Sequence, residues 1–175
     1  MDGFAFSGEA IVGLRSGEKN LRMLRISVNR LLQWTLWTGL FFSACYFIGL
    51  EWFTSLLTDS DNVNQGVIEL TPWISLIPIV SCWAFIYDGF YIGITDTFKM
   101  MISTLIGGLI FFAVVSLNKT GPEFLASGEV IDANQIIWTA FLGYLLIRGL
   151  YLAAMWPGSL RKKLDPAASS VTIEG

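Results

Sequence analysis

The chain of 175 residues is apolar and poor in charge: hydrophobic residues make up 54% of it and charged residues 14%, against about 25% in soluble domains. Its 11 Lys and Arg against 14 Asp and Glu give a net charge of −3. Residues 31–50 and 100–118 contain no charged side chain, and each stretch is long enough to cross a hydrocarbon layer of about 30 Å as a helix. The composition excludes a soluble enzyme and indicates an integral membrane protein.

The residue types that carry most enzyme and metal chemistry are scarce. The chain has no His, the commonest general base and metal ligand. Its two cysteines, Cys45 and Cys82, lie in apolar stretches and are too few for a disulfide framework or a zinc site. No basic patch with interleaved aromatic residues suggests nucleic acid as a partner. We therefore expect no enzymatic activity, no metal and no nucleic acid, and the lipid bilayer as the main partner.

The apolar stretches predict an all-α polytopic membrane protein with four full transmembrane helices and a partial one at the N-terminus. Residues 1–14 are interpreted as the inner end of a truncated transmembrane helix. Residues 15–30 are basic and amphipathic, which is typical of a helix on the membrane surface. Residues 31–156 hold the four full spans, and residues 157–175 form a tail. The predicted spans are residues 31–53, 72–95, 100–117 and 135–156, with a kink at Pro78.

The distribution of Lys and Arg predicts the orientation. Residues 15–30 hold five of them, residues 96–99 one, and the tail three, nine in all. The two other loops hold only Lys119, and the eleventh is Arg148, within a span. Because basic loops stay in the cytoplasm, we expect these nine residues and the C-terminus to be cytoplasmic.

A carboxylate, Asp88, lies within the second predicted span. A charge inside a bilayer costs about 2.5–3.5 kcal/mol on insertion scales, so such groups usually face a cavity or a partner. Ser81 lies seven residues before it and Thr95 seven after, which places the three on one helical face with Tyr91 beside them. This polar face predicts a cavity that binds a cation or a substrate. A structural ion pair or a hydrogen bond in helix packing is the alternative.

A short repeat links this span to the N-terminus. Residues 2–4 and 88–90 both read Asp-Gly-Phe, and one further span lies between them, so we expect both copies on helices that run in the same direction. Asp2 and Glu9 are therefore further candidates for cation or substrate binding.

A second charge, Arg148, lies within the last predicted span. This span and the span of Asp88 run in the same direction, and the two residues lie at similar depth. We expect Arg148 to form a structural ion pair with Asp88.

Several of these motifs resemble one family of membrane transporters. Residues 1–13 (MDGFAFSGEAIVG) are similar to the end of the eighth helix of the MATE (multidrug and toxic compound extrusion) family, in the branch named for DNA-damage-inducible protein F. Residues 71–78 (TPWISLIP) and 84–95 (AFIYDGFYIGIT) resemble the tenth helix of that branch. Residues 99–101 and 148–152 fit the eleventh and twelfth helices.

The resemblance implies an efflux antiporter of the cell inner (plasma) membrane, with twelve helices in two six-helix lobes. Small organic, often cationic compounds leave such a carrier against an inward flow of Na⁺ or H⁺, and the coupling ion is the only cofactor implied. Asp88 matches an acidic position implicated in cation coupling in some branches. The sequence departs from the branch at Asp96, where Arg or Lys is frequent, and it lacks the proton-linked carboxylate of the N-terminal lobe.

Complete members of that family are more than twice as long as this chain. We therefore expect a C-terminal fragment that lacks the N-terminal lobe, in which Met1 is an internal methionine, and we expect the isolated fragment to be inactive. The alternative is a small four-span membrane scaffold or assembly subunit that starts at Met1. Asp88 favours the transporter, since a scaffold has little use for a carboxylate in a cavity.

Overall fold

The computed structural model describes residues 2–118 and 130–164. Every regular element within these residues is a helix, which confirms the all-α class. Four of the five helices, α2 to α5, are long and apolar enough to cross a membrane, so the chain is a multi-pass membrane protein. Met1, Lys119 and residues 165–175 lie outside the described residues, and the expectations for them stay predictions. The helices are α1 (Asp2–Gly17), α2 (Leu21–Leu57), α3 (Asp61–Gly93), α4 (Thr97–Asn118) and α5 (Val130–Leu164).

The start of α2 differs from the sequence prediction. The structure has one continuous helix from Leu21 to Leu57, which joins the second part of the basic segment 15–30 to the first predicted span. The location of that segment on the membrane surface stays a prediction. Asn20 caps the start by accepting a hydrogen bond from a backbone N–H, and neither Gly nor Pro interrupts the chain before the predicted span. Leu24 and Val28 are buried against the protein core. These two side chains therefore pack on other helices, whereas Leu21 is exposed.

The helices also extend beyond the predicted spans elsewhere. α2 continues to Leu57 and α3 begins at Asp61, so only three residues join them, and α5 continues to Leu164. A helix does not stop where the hydrocarbon layer stops, and apolar runs therefore underestimate helix length. Pro78 lies inside an uninterrupted α3. The bend expected there, and the division into membrane and cytoplasmic parts, stay predictions.

α1 and α3 approach backbone to backbone because two glycines of α3 face α1. A Cβ at Gly89 would lie 2.1 Å from the carbonyl oxygen of Ala5, and one at Gly93 would lie 2.8 Å from that of Glu9. The spacing of the two glycines is the small-residue pattern that permits close packing of membrane helices. Both partners advance by four residues, so α1 and α3 run in the same direction, as the Asp-Gly-Phe repeat predicts.

α2 and α5 pack on α3 in opposite directions. On α2, Ser43 donates a hydrogen bond to the carbonyl oxygen of Ser75, and a Cβ at Gly39 would lie 3.1 Å from the carbonyl oxygen of Pro78. Later residues of α2 thus meet earlier residues of α3, and the pair is antiparallel. α5 is parallel to α3, because its later residues meet later residues of α3 at both Asp88 and Tyr91.

The core lies at the end of the bundle where α3 terminates. Trp156 of α5 is its centre: the ring lies 5.3 Å from that of Phe90, 5.5 Å from that of Tyr91 and 6.3 Å from that of Tyr87. Such aromatic pairs add to the free energy gained by burial. The cluster joins α3 to α5, while apolar side chains of α1 and α2 complete it.

Candidate functional site: a buried ion pair between two membrane helices

Asp88 of α3 and Arg148 of α5 form a buried ion pair. Nη2 of Arg148 donates to Oδ2 of Asp88 at 2.5 Å. The side chains are only 9% exposed for Asp88 and 15% for Arg148. Both helices are candidate membrane spans, where an unpaired charge is costly. The contact expected from their similar depth is therefore present, while the role of the pair in transport stays a prediction.

The pair uses only part of its hydrogen-bonding capacity. Nη1 of Arg148 donates to the hydroxyl of Tyr144 at 3.4 Å, one helical turn away on α5. Oδ1 of Asp88 and Nε of Arg148 are buried, and neither has a hydrogen-bond partner among the described residues. A buried polar atom without a partner is expensive. Oδ1 is thus available to accept a proton or to contact a cation.

Close packing brings the two helices together beside the pair. A Cβ at Gly149 would lie 3.3 Å from the backbone nitrogen of Ala84, and both residues are buried. The small side chains permit α3 and α5 to approach at this level, and the adjacent Arg148 then reaches Asp88. The charges are buried between α3 and α5, because Asp88 faces α5.

Ser81 and Tyr91 are buried on the same helix as Asp88. Among the described residues, neither side chain forms a hydrogen bond with the carboxylate of Asp88. Ser81 donates to the carbonyl oxygen of Pro78 within α3 at 3.4 Å. The hydroxyl of Tyr91 donates to the carbonyl oxygen of Leu152 on α5 at 3.0 Å. Tyr91 therefore joins α3 to α5, while the hydrogen bond of Ser81 stays within α3. A role in binding stays a prediction for both.

Thr95 does not share the helical face of Asp88, and that geometric expectation is wrong. α3 ends at Gly93, and Thr95 adopts a left-handed φ of 61°. The N–H of Thr95 donates to the carbonyl of Ile92 at 2.9 Å, and that of Asp96 donates to the carbonyl of Tyr91 at 3.0 Å. These two bonds form the Schellman motif that ends many helices. Thr95 is exposed, since the motif turns the chain away from the helix axis.

Asp2 and Glu9 lie on α1, which packs on a different side of α3. Asp2 is exposed and Glu9 is half-buried. No hydrogen bond or ion pair in the described part of the chain joins either carboxylate to Asp88. The backbone of Glu9 lies against Gly93, whereas Asp88 faces α5. The structure thus brings Asp88 and Arg148 together and leaves these two candidates apart from them.

Sequence reasoning missed a second polar network, which lies between the turn after α3 and the end of α5. Nζ of Lys99 donates to Oγ of Ser159 at 2.6 Å and forms an ion pair with Asp96 at 2.9 Å. Nζ of Lys163 donates to Oγ1 of Thr95 at 2.9 Å. These contacts tie the turn between α3 and α4 to the last turns of α5. No spacing in the sequence indicated the two contacts with α5, because their residues are 60 and 68 positions apart.

The described residues contain no group of three or more His, Cys, Asp or Glu side chains that could hold a metal ion. The chemistry available at this site is a change in the partner of the Asp88 carboxylate. The carboxylate can keep the guanidinium, or it can take a proton or a monovalent cation and release it.

Comparison with known proteins agrees with the motifs. The sequence model of the MatE family matches residues 1–117, which include α1, α2, α3 and nearly all of α4. No solved structure gives a significant match.

Two curated proteins also match. DNA damage-inducible protein F of Escherichia coli (strain K12) is 28% identical over 161 residues, which cover 89% of this chain and 32% of that protein. Protein DETOXIFICATION 44, chloroplastic, of Arabidopsis thaliana is 25% identical over 155 residues, which cover 89% of this chain and 27% of that protein. The chain thus spans about a third of the length of these relatives. With the family model matching well over half of it, the chain belongs to the MatE family.

Proposed function

We propose that this chain is part of the C-terminal lobe of an efflux antiporter that exports small organic, often cationic compounds in exchange for Na⁺ or H⁺. The partner in this proposal is an N-terminal lobe of the same transporter, so that the described residues alone would not carry substrate. Family membership and the name of one relative, Protein DETOXIFICATION 44, support export of toxic compounds.

The observation that carries the proposal is the buried pair of Asp88 and Arg148. Two charges removed from water in membrane helices seldom stabilise a fold more than apolar side chains of the same size. A structural scaffold gains little from such a pair, whereas a carrier needs a group whose partner can change. This argument favours the transporter over the four-span scaffold.

The same pair supports coupling to a cation. When Asp88 takes up H⁺ or Na⁺, the attraction that holds Arg148 weakens, and the contact between α3 and α5 loses its charge component. The two helix arrangements then differ in their affinity for the ion, and such a difference is what lets a ligand shift a conformational equilibrium. Release of the ion restores the pair and the original arrangement.

We further propose that the protein lies in the cell inner (plasma) membrane with its C-terminus in the cytoplasm. The nine Lys and Arg predicted to be cytoplasmic support this orientation. In it, α1, α3 and α5 run inwards, and the core around Trp156 lies near the cytoplasmic side. The segment after residue 20 is continuous with α2, and α5 continues into the predicted tail as far as Leu164; the division into membrane and cytoplasmic parts remains part of this proposal.

The proposal is tested by joining this chain to the N-terminal two thirds of DNA damage-inducible protein F, in place of the segment that it matches. Cells without other efflux pumps would express the joined protein, the N-terminal part alone, this chain alone or the intact relative at matched membrane abundance. The measurement is the initial rate of efflux of a panel of organic cations. We expect export only from the joined protein and the relative. Export by this chain alone, or none by a correctly inserted joined protein, would contradict the proposal.

A further inference from the structure

A groove separates the first half of α2 from the last turns of α5. Its volume is about 880 Å³, and Tyr87 of α3 forms part of its floor. α2 is antiparallel and α5 parallel to α3, so the beginning of α2 and the end of α5 lie at the same end of the bundle. The groove is a separate feature from the ion pair, because neither Asp88 nor Arg148 lines it.

The mouth of the groove is basic. Arg25 of α2 and Arg161 of α5 line it, and both are exposed. Among the described residues that line the groove, these two are the only charged ones, and none is acidic. Neither arginine has an ion pair in the described part of the chain. Asn29 lies one turn beyond Arg25 on the same wall and adds an amide. The mouth therefore has donors for an anion and no carboxylate to neutralise them.

The groove becomes apolar away from the two arginines. Leu32 lies seven residues after Arg25, and Trp156 lies five residues before Arg161, which is about 7–10 Å along helices that rise about 1.5 Å per residue. The rings of Tyr87 and Trp156 line the groove at this depth and stand fixed in the aromatic core. Charge at one end and apolar rings farther in match the two ends of an amphipathic molecule.

We propose that this groove binds an anionic phospholipid, with the phosphate headgroup between Arg25 and Arg161 and the upper acyl chain along Leu32 and Trp156. Guanidinium groups bind phosphate oxygens in a bidentate manner, and basic pockets between transmembrane helices are suited to acidic headgroups. The apolar depth argues for a lipid over free phosphate, since an inorganic anion gains nothing from aromatic walls. Bound lipid would join α2 to α5, which otherwise meet through α3.

The test is the lipid that the protein retains. The full chain is reconstituted in bilayers of phosphatidylcholine and phosphatidylglycerol, extracted in mild detergent and examined by native mass spectrometry. The test variant is Arg25→Gln/Arg161→Gln. The matched control is Arg22→Gln/Arg30→Gln, which removes the same charge from exposed positions outside the groove. A third variant, Asn29→Trp, fills the groove while both arginines remain.

We expect the wild-type chain and the control to retain phosphatidylglycerol in preference to phosphatidylcholine. The Arg25→Gln/Arg161→Gln variant should lower this preference on the order of 30-fold, about fivefold for each basic group. Asn29→Trp should lower it as well, which tests the site even if the double variant does not fold. Equal retention by the test variants and the control would overturn the proposal. Displacement of the lipid by inorganic phosphate would show a site for free anions and would overturn it too.

Discussion

Gly89 of α3 lies against the backbone of Ala5 on α1, so close that a Cβ at Gly89 would stand 2.1 Å from the carbonyl oxygen of Ala5. No side-chain rotation can relieve that contact, because the neighbouring atom belongs to a helix backbone. The Asp-Gly-Phe repeat thus also contributes to helix packing, because the glycine of the second copy contacts the helix that carries the first copy.

The first prediction is that Gly89→Ala destabilises the bundle. The added methyl group must push α1 from α3, and overpacking of this kind typically costs about 1–3 kcal/mol. Heating in detergent, followed by loss of the helical circular dichroism signal, measures the effect. Gly108→Ala on α4 is the control, since its Cβ would meet nothing within 4 Å, and it should be neutral or slightly stabilising. Equal melting of the two variants would contradict the packing.

The second prediction concerns the strained turn after α3. A β-branched residue with φ of 61°, as Thr95 has, is disfavoured by about 1–2 kcal/mol, whereas Asn tolerates that conformation. Thr95→Asn should therefore raise the melting temperature and keep a polar group near Lys163. Thr97→Asn, at an exposed position in the first turn of α4, is the control and should not stabilise. A lower melting temperature for Thr95→Asn would show that the hydroxyl contact with Lys163 outweighs the strain.

The sequence predicted the class of the fold, the number of spans and the parallel course of α1 and α3. Length and apolarity determine where a membrane helix forms, and both can be counted along the chain. The glycines at 89 and 93 carried a further signal that was not used: a spacing of four between small residues indicates a close helix contact.

The sequence predicted one polar contact, the pair of Asp88 and Arg148, and missed the others. The pairing of Asp88 with Arg148 could be predicted because few charges lie within the spans, so each has few possible partners. Lys99 and Ser159 escaped notice since their contact depends on the exact turn at residues 94–96. Thr95 was misplaced for the same reason, because helical periodicity holds only as far as the helix continues, and no Gly or Pro marks its end after Gly93.

The third prediction is that Arg148→Ala lowers membrane abundance and thermal stability. Removal of one partner from a buried pair leaves the other charge uncompensated, at a cost of about 3–5 kcal/mol. The double variant Asp88→Asn/Arg148→Gln should be more abundant and more stable than Arg148→Ala, because it leaves no unpaired carboxylate. Quantitative immunoblots of membranes and melting curves measure both. An Arg148→Ala variant as abundant and stable as the wild type would contradict a structural role for Arg148.

The fourth prediction is the orientation. In a Cys45→Ala/Cys82→Ala background, Asp61→Cys should react with a membrane-impermeant maleimide from outside intact cells. Gly17→Cys, where a Cβ meets nothing within 4 Å, should react only after the cytoplasmic side is opened. Labelling of position 61 from the cytoplasmic side alone would reverse the proposed topology.

The most direct test of the proposed mechanism is antiport by Asp88→Asn in the joined transporter. Asn can still accept a hydrogen bond from Arg148, but it leaves the guanidinium without a counter-charge, so abundance should fall in part and the comparison is made at matched abundance. Asn has no charge to exchange for H⁺ or Na⁺. Everted vesicles at matched abundance are loaded by imposing a proton or a sodium gradient, and accumulation of an organic cation is measured. We predict that Asp88→Asn loses accumulation under the gradient that drives the parent protein, whereas Thr104→Ala, at an exposed position on α4, keeps it in large part. Undiminished gradient-driven accumulation by Asp88→Asn would contradict a coupling role for Asp88.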